Sequence, residues 1–201
     1  MKKILAMLLA LVMVLSLAAC ASTQPAAEPA ASSDAPAESG KTYTVGVCQL
    51  VQHEALDAAT QGFVDALKEA LGDAVTIDVQ NASGDSVNCG TIVNGFVAKG
   101  VDLIMANATP ALTAAVSATA DIPILGTSIT AYGVALDIDD FSGTVGGNVS
   151  GTSDLADLQK QAQMILDWFP ETKTVGLLFC SAEPNSRYQI DEVRKALEAQ
   201  G

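Results

Sequence analysis

Residues Val101–Pro110 read Val-Asp-Leu-Ile-Met-Ala-Asn-Ala-Thr-Pro. Beyond Asp102 the run to Ala106 is wholly apolar, which predicts a strand over Val101–Ala106 buried on both faces. Thr109-Pro110 then opens a helix, with Thr109 as N-cap and Pro110 at the first helical position. A two-sided strand feeding a helix through a short polar turn is the repeating unit of a parallel α/β sheet.

The same unit recurs on either side. Upstream, Tyr43–Cys48 predicts a strand, and Glu54–Leu71 carries Ala55, Ala58, Ala59, Phe63, Ala66, Leu67 and Ala70 at helical spacing. Gly72 is the expected C-cap. Ala74–Val79 alternates as a strand, and Ser83-Gly84-Asp85 caps a helix running through Val97 and stopped by Gly100. Downstream, Ile122–Gly126 reads as a strand. Leu155–Phe169 reads as a helix ended by Pro170, Thr174–Cys180 as a strand, and Pro184–Gln200 as a helix. Trp168 and Phe169, at a helix end, are expected in a core.

Composition narrows the function classes. Of 201 residues, 49% are hydrophobic and 16% charged, which supports a packed core. The net charge of −13 repels phosphate backbones, so nucleic acid is a poor partner. One histidine, His53, leaves little for a His-based triad or metal site, and it is expected at a helix start in a structural role. No GxGxxG, GxxxxGK[ST], GxSxG or CxxC is present, so no cofactor and no metal are expected.

The N-terminus reads as a targeting segment. Lys2-Lys3 precede an apolar run from Ile4 to Leu15, then Leu17-Ala18-Ala19-Cys20. The run is short for a membrane span and fits a signal peptide over residues 1–19. Leu-Ala-Ala-Cys resembles a bacterial lipoprotein box, which implies lipid on Cys20 and anchoring at the outer face of the cytoplasmic membrane or in the periplasm. Residues 21–40 hold three prolines and three acids, with no Leu, Ile, Val or aromatic residue, so residues 20–40 read as lipidated Cys and flexible linker. Cys48, Cys89 and Cys180 remain and are expected to be free and structural, with Cys48 and Cys180 packed at strand ends.

The folded body divides into a first α/β lobe, 41–150, and a crossover with the start of a second lobe, 151–201. Asp137–Asp154, rich in Gly, Ser, Thr and Asn, breaks the strand–helix rhythm and reads as the crossover. One helix–strand–helix stretch cannot bury its own core. The chain therefore reads as a fragment, or a truncated product, of a two-lobed protein, and as one that folds poorly alone. In an open parallel sheet, ligands bind at the carboxyl ends of the strands. The turns there, such as Gln49–His53 and Asn107–Pro110, carry neutral hydrogen-bonding groups suited to gripping a small polar solute.

Several stretches resemble the tryptophan/tyrosine-type substrate-binding proteins of ABC transporters. In order they are His53-Glu54-Ala55-Leu56-Asp57, Asp102-Leu103-Ile104, Ala108-Thr109-Pro110, Ile122-Pro123-Ile124, Gly147–Asp154, and Glu183-Pro184-Asn185-Ser186 with Gln189. The resemblance implies a two-lobed type I periplasmic-binding-protein fold, with parallel sheets flanked by helices and the second lobe incomplete. It implies a solute-binding lipoprotein that delivers a small polar solute, best an aromatic or other amino acid, to ABC permease and ATPase subunits. Glu54 stands where the family usually has Pro. Ser128–Tyr132 lacks the family's usual Thr-Asp-Pro, which bears on the solute.

Candidate ligand contacts follow. Thr109 and Pro110 start a helix whose free N–H groups suit a carboxylate. Asp154 suits an ammonium group, beside Ser153; helix capping is the competing role for both. Asn185 and Ser186 occupy a strand-end turn expected to face the first lobe. Gln49 directly follows the first strand. Ser128 borders the cleft, and Tyr132 offers an aromatic wall. Two other readings stay open: a ligand-sensing module of the same fold, and a secreted hydrolase, for which a nucleophile with a base is lacking.

Overall fold

The computed structural model describes residues 40–200. Its strands are β1 (Tyr43–Gln49), β2 (Val75–Asn81), β3 (Leu103–Asn107), β4 (Ile124–Ile129) and β5 (Val149–Ser153). They form one sheet in the order β2-β1-β3-β4-β5, and every neighbouring pair is parallel. The helices are α1 (Glu54–Leu71), α2 (Ser86–Lys99), α3 (Thr109–Ala118), the short α4 (Tyr132–Ala135), α5 (Leu158–Trp168) and α6 (Pro184–Glu198).

Local chemistry sets these limits. At the start of α1 the His53 imidazole accepts the Ala55 N–H at 3.3 Å, and Gly72 closes the helix at φ +54°. Asp85 caps α2 by accepting the Val87 N–H at 2.8 Å. Gly100 ends it in the left-handed region, returning its N–H to the Phe96 and Val97 carbonyls.

Both faces of the sheet are covered, as the non-alternating strands require. On one face α2 and α3 bury Phe96 and Leu112 against Ile104 and Ile124. On the other, Phe63 and Leu67 of α1 pack on Val45, Val47 and Met105. Gly46 is needed where β1 meets α2, since a Cβ there would lie 2.5 Å from the Phe96 ring. Cys48 and Cys89 are buried in the larger cluster, and all three described cysteines are free. The adjoining Cys89 thiol, and after it burial, push the Cys48 thiol up.

Five expectations are corrected. Thr109 is not the N-cap of α3: Ala108 is, at φ +90° and ψ 157°, so Thr109 and Pro110 are the first two helical residues. The predicted crossover holds both the end of a short helical turn's loop and the fifth strand of the sheet, β5. That strand escapes a sequence reading because its one glycine fits the shape of its neighbours: a Cβ on Gly151 would lie 2.1 Å from the Gly126 carbonyl oxygen. The boundary drawn at residue 150 falls inside it. The helix expected from Leu155 begins at Leu158, because Asp157 caps it by accepting the Lys160 N–H at 3.0 Å. Thr174–Cys180 forms no regular element and joins no ladder among the described residues. Finally, Trp168, Phe169 and Cys180 are exposed, because the small cluster around Leu158, Ala162 and Val193 does not reach them.

Candidate functional site

The sheet's topology selects one place for a ligand. From β1 the chain winds to β2 on one side, then crosses to β3 and β4 on the other. The connections diverge there, leaving a crevice at the carboxyl ends of β1 and β3. Gln49 and Asn107, the last residues of those strands, are register partners, and Thr127 of β4 is the register partner of Asn107.

The side chains at this edge form one directed network. The Asn107 amide donates to the Leu56 carbonyl at 2.8 Å and to the Thr60 hydroxyl at 2.9 Å. The Thr60 hydroxyl donates to Gln49 Oε1 at 2.6 Å. Gln49 Nε2 donates to the Val51 carbonyl at 2.8 Å and to Asp57 Oδ1 at 2.5 Å. Gln49 is only 4% exposed, so it orients Asp57 rather than standing free in the crevice. Asn107 Oδ1 and Thr109 Oγ1 are buried without partners. An unpaired buried polar atom costs about 1–3 kcal/mol, so these two mark a place where a partner is missing.

Backbone strain gathers at the same edge. Ser83, Ala108 and Ser128 all have positive φ, at or near the ends of β2, β3 and β4. Such residues cost about 1–3 kcal/mol each and cluster at ligand-clamping sites. The Ala108 conformation is pinned by its N–H donating to the Thr127 carbonyl at 3.0 Å. Its carbonyl accepts the Leu112 N–H, starting α3. The first-turn N–H groups of Thr109 and Ala111 have no carbonyl one turn back to bond, and Pro110 has no N–H to offer. The helix dipole adds partial positive charge there, so this turn suits an anion such as a carboxylate.

The family comparison settles what kind of protein carries this edge. The family model described as ABC transporter substrate binding protein matches residues 44–201. The chain belongs to that family. A "Tyrosine-binding protein" from Clostridioides difficile is 36% identical over 199 residues, which is 96% of this chain and 56% of that protein. The solved ABC domain from Streptococcus pneumoniae in complex with L-Trp is 37% identical with a TM-score of 0.74, over 80% of this chain and 55% of that one. A ligand-free, open substrate-binding protein from Clostridium difficile, with adhesive properties, is 37% identical with a TM-score of 0.61, over the same shares. The chain spans about half the length of these relatives.

In this family member the predicted contacts separate into groups. Gln49, Thr109 and Pro110 lie together at the β1–β3 crevice, with Ser128 on the next strand at φ +55°. Tyr132 is 6% exposed and donates its hydroxyl to the Gly126 carbonyl at 3.1 Å and the Thr152 carbonyl at 3.3 Å. It stitches β4 to β5 and presents no open aromatic wall; burial pushes its phenol up. Ser153 donates to the Thr130 carbonyl at 2.8 Å and accepts the Leu155 N–H at 3.2 Å. Asp154 is exposed, and its N–H donates to the Ile129 carbonyl. Asn185 and Ser186 sit in the first turn of α6. Ser186 Oγ accepts the Cys180 N–H at 2.9 Å, and Asn185 Oδ1 is buried without a partner. Among the described residues no hydrogen bond joins that turn to the β1–β3 crevice. Tyr188, one turn further along α6, instead lines a cavity of about 360 Å³ with Tyr132 and Ser153. Cys20 lies outside the described residues.

Sequence reasoning passed over Asp57 and Thr60 as site residues, and named Asn107 only within a strand-end turn. Their link is the register pairing of Gln49 with Asn107, which no local pattern reveals.

Proposed function

We propose that the protein is an extracytoplasmic solute-binding lipoprotein of an ABC importer, and that its solute is an amino acid with an aromatic side chain. The observation that carries this reading is the first turn of α3. It offers unbonded N–H groups and the orphaned Thr109 hydroxyl at the topological switch point, a place matched to an α-carboxylate. The relatives named for tyrosine and L-Trp supply the solute class. The sheet through β5 forms the first of two lobes in this proposal, and the chain beyond Ser153 leads into the second. Asp154, Asn185 and Ser186 contact the solute from the second side as the lobes close. The closed form is then read by a permease, and lipid on Cys20 holds the protein at the membrane.

The test is calorimetric titration of L-tyrosine and L-tryptophan. Thr109→Val keeps the shape of the side chain and removes its hydroxyl, so it is expected to weaken binding about tenfold. Unchanged affinity in this variant would remove the carboxylate from α3. For the anchor, Cys20→Ala is expected to release the protein from membranes into the soluble fraction.

A further inference from the structure

We propose that Asp57 is the anchor for the ligand's ammonium group, in a polar pocket at the carboxyl ends of β1 and β2. The inference deepens the amino-acid reading and rests on the solute carboxylate occupying α3. The pocket, of about 300 Å³, is lined by Gln49, Gln52, Asp57, Thr60, Gln61 and Asn81, with Val79 as its apolar wall.

Three observations single out Asp57. First, its carboxylate is held in place: the chain from Asn107 through Thr60 to Gln49 delivers an N–H to Oδ1. All four side chains are thereby fixed in one direction, with donors pointing toward Asp57. The last link is a charge-assisted bond, stronger than its neutral counterpart. Second, no Lys, Arg or His among the described residues forms an ion pair with Asp57. Nor does any basic residue line the pocket. A half-buried carboxylate without a counter-ion is a standing demand for a cation. Third, the network spans the crevice. It begins at Asn107 on β3, passes through Gln49 on the adjacent β1, and ends at Asp57 on α1. Thr109 follows Asn107 by two residues. An anion-receiving turn therefore adjoins one end of the network and an oriented carboxylate forms the other, at one switch point.

Asp154, the acid singled out from sequence for the ammonium group, is exposed and lies at the end of β5, with two strands between it and β1. Asp57 has the pocket, the orienting network and the position. The acidic chain as a whole adds attraction for a cationic group.

The experiment maps amide-signal shifts in the 201-residue chain with three probes. Tyramine carries the ammonium without the carboxylate, 3-(4-hydroxyphenyl)propionate carries the carboxylate without the ammonium, and 4-hydroxyphenethyl alcohol carries neither charge. Tyramine is expected to shift Gln49, Asp57 and Asn81, and the neutral alcohol is not. Asp57→Asn keeps an acceptor oxygen for Gln49, so the network stays in place. It is expected to weaken tyramine about tenfold or more while leaving the propionate response at Thr109 and Ala111 unchanged. Tyramine shifts that survive in Asp57→Asn, that are matched by the neutral alcohol, or that never reach these residues overturn the proposal. The comparison with the alcohol needs no variant, so a misfolded Asp57→Asn does not shield the idea. Failure of the α3 carboxylate reading registers separately, as no propionate response at Thr109 and Ala111.

Discussion

Two segments of this chain are nearly the same word with opposite fates. Thr44-Val45-Gly46-Val47-Cys48 lies in β1, while Thr174-Val175-Gly176-Leu177-Leu178-Phe179-Cys180 lies between α5 and α6 outside any regular element. Each is apolar, ends in cysteine, and runs through a polar turn into a helix. β1 is the second strand of the sheet, laddered on both sides, with Val47 and Cys48 fully buried. The second stretch has no ladder partner, and Leu178 is 97% exposed. A strand is a relation between segments, so β propensity decides nothing until neighbours arrive.

The contrast implies very different sensitivities. The largest effect is expected at Phe96, whose ring fills the space over Gly46 and is wholly buried. Phe96→Ala should cost about 3–5 kcal/mol in denaturant titrations of the sheet region. A loss below about 1 kcal/mol would mean that β1 is as loosely held as 174–180, and the comparison would collapse.

Next comes the glycine pair at the β4–β5 seam. Gly126 and Gly151 are register partners, and the Tyr132 hydroxyl lies over both. A Cβ on Gly151 would meet that hydroxyl at 2.2 Å, and its φ of +149° already favours glycine. Gly151→Ala is expected to cost about 1–3 kcal/mol and to detach β5, seen as faster amide exchange at Ser150–Ser153. Unchanged exchange would show that β5 is no true member of the sheet.

These cases explain what was legible. The four strands from β1 to β4 and the helices α1 to α3 were readable because period, caps and turns are local signals. His53, Asp85, Gly72 and Gly100 all do at helix ends what their residue types suggest. β5 was not readable: Val-Ser-Gly-Thr-Ser has little β propensity, and its place depends on the cavity that Gly126 and Tyr132 leave for it. The site was half legible. Thr109 and Pro110 announce a helix start, but Thr109 proves special through an orphaned hydroxyl behind a strained Ala108. Asp57 looks like any first-turn acid until register sets Gln49 beside Asn107.

A smaller effect concerns the edge of the sheet. β2 is an edge strand, and Lys99 at the end of α2 reaches it, with Nζ 2.7 Å from Asp78 Oδ2. The Lys99 ammonium holds the Asp78 carboxyl below its usual range. The folded value is thus below the unfolded one. The contribution is complete above the ordinary carboxylate range and is lost as pH falls through the lowered value. Because both side chains are partly exposed, at 57% and 31%, it is expected to stay within about 0.2–1 kcal/mol. Asp78→Asn should flatten the acid limb of the stability curve by that amount; an identical acid limb would show the pair to be energetically idle.

The smallest effect on stability is expected where apolar exposure is greatest. Leu178 projects from a segment without ladder partners and contributes almost nothing to a core, so Leu178→Ser should change stability by less than about 0.5 kcal/mol. The consequence should appear between molecules instead. An apolar, β-branched and aromatic segment outside any ladder is a candidate for strand pairing with another chain. In Leu178→Ser, light scattering should show less self-association at equal concentration, with the denaturation midpoint unmoved. A marked fall in the midpoint would mean that Leu178 is packed in solution, and that the second stretch had already found the neighbours that β1 has.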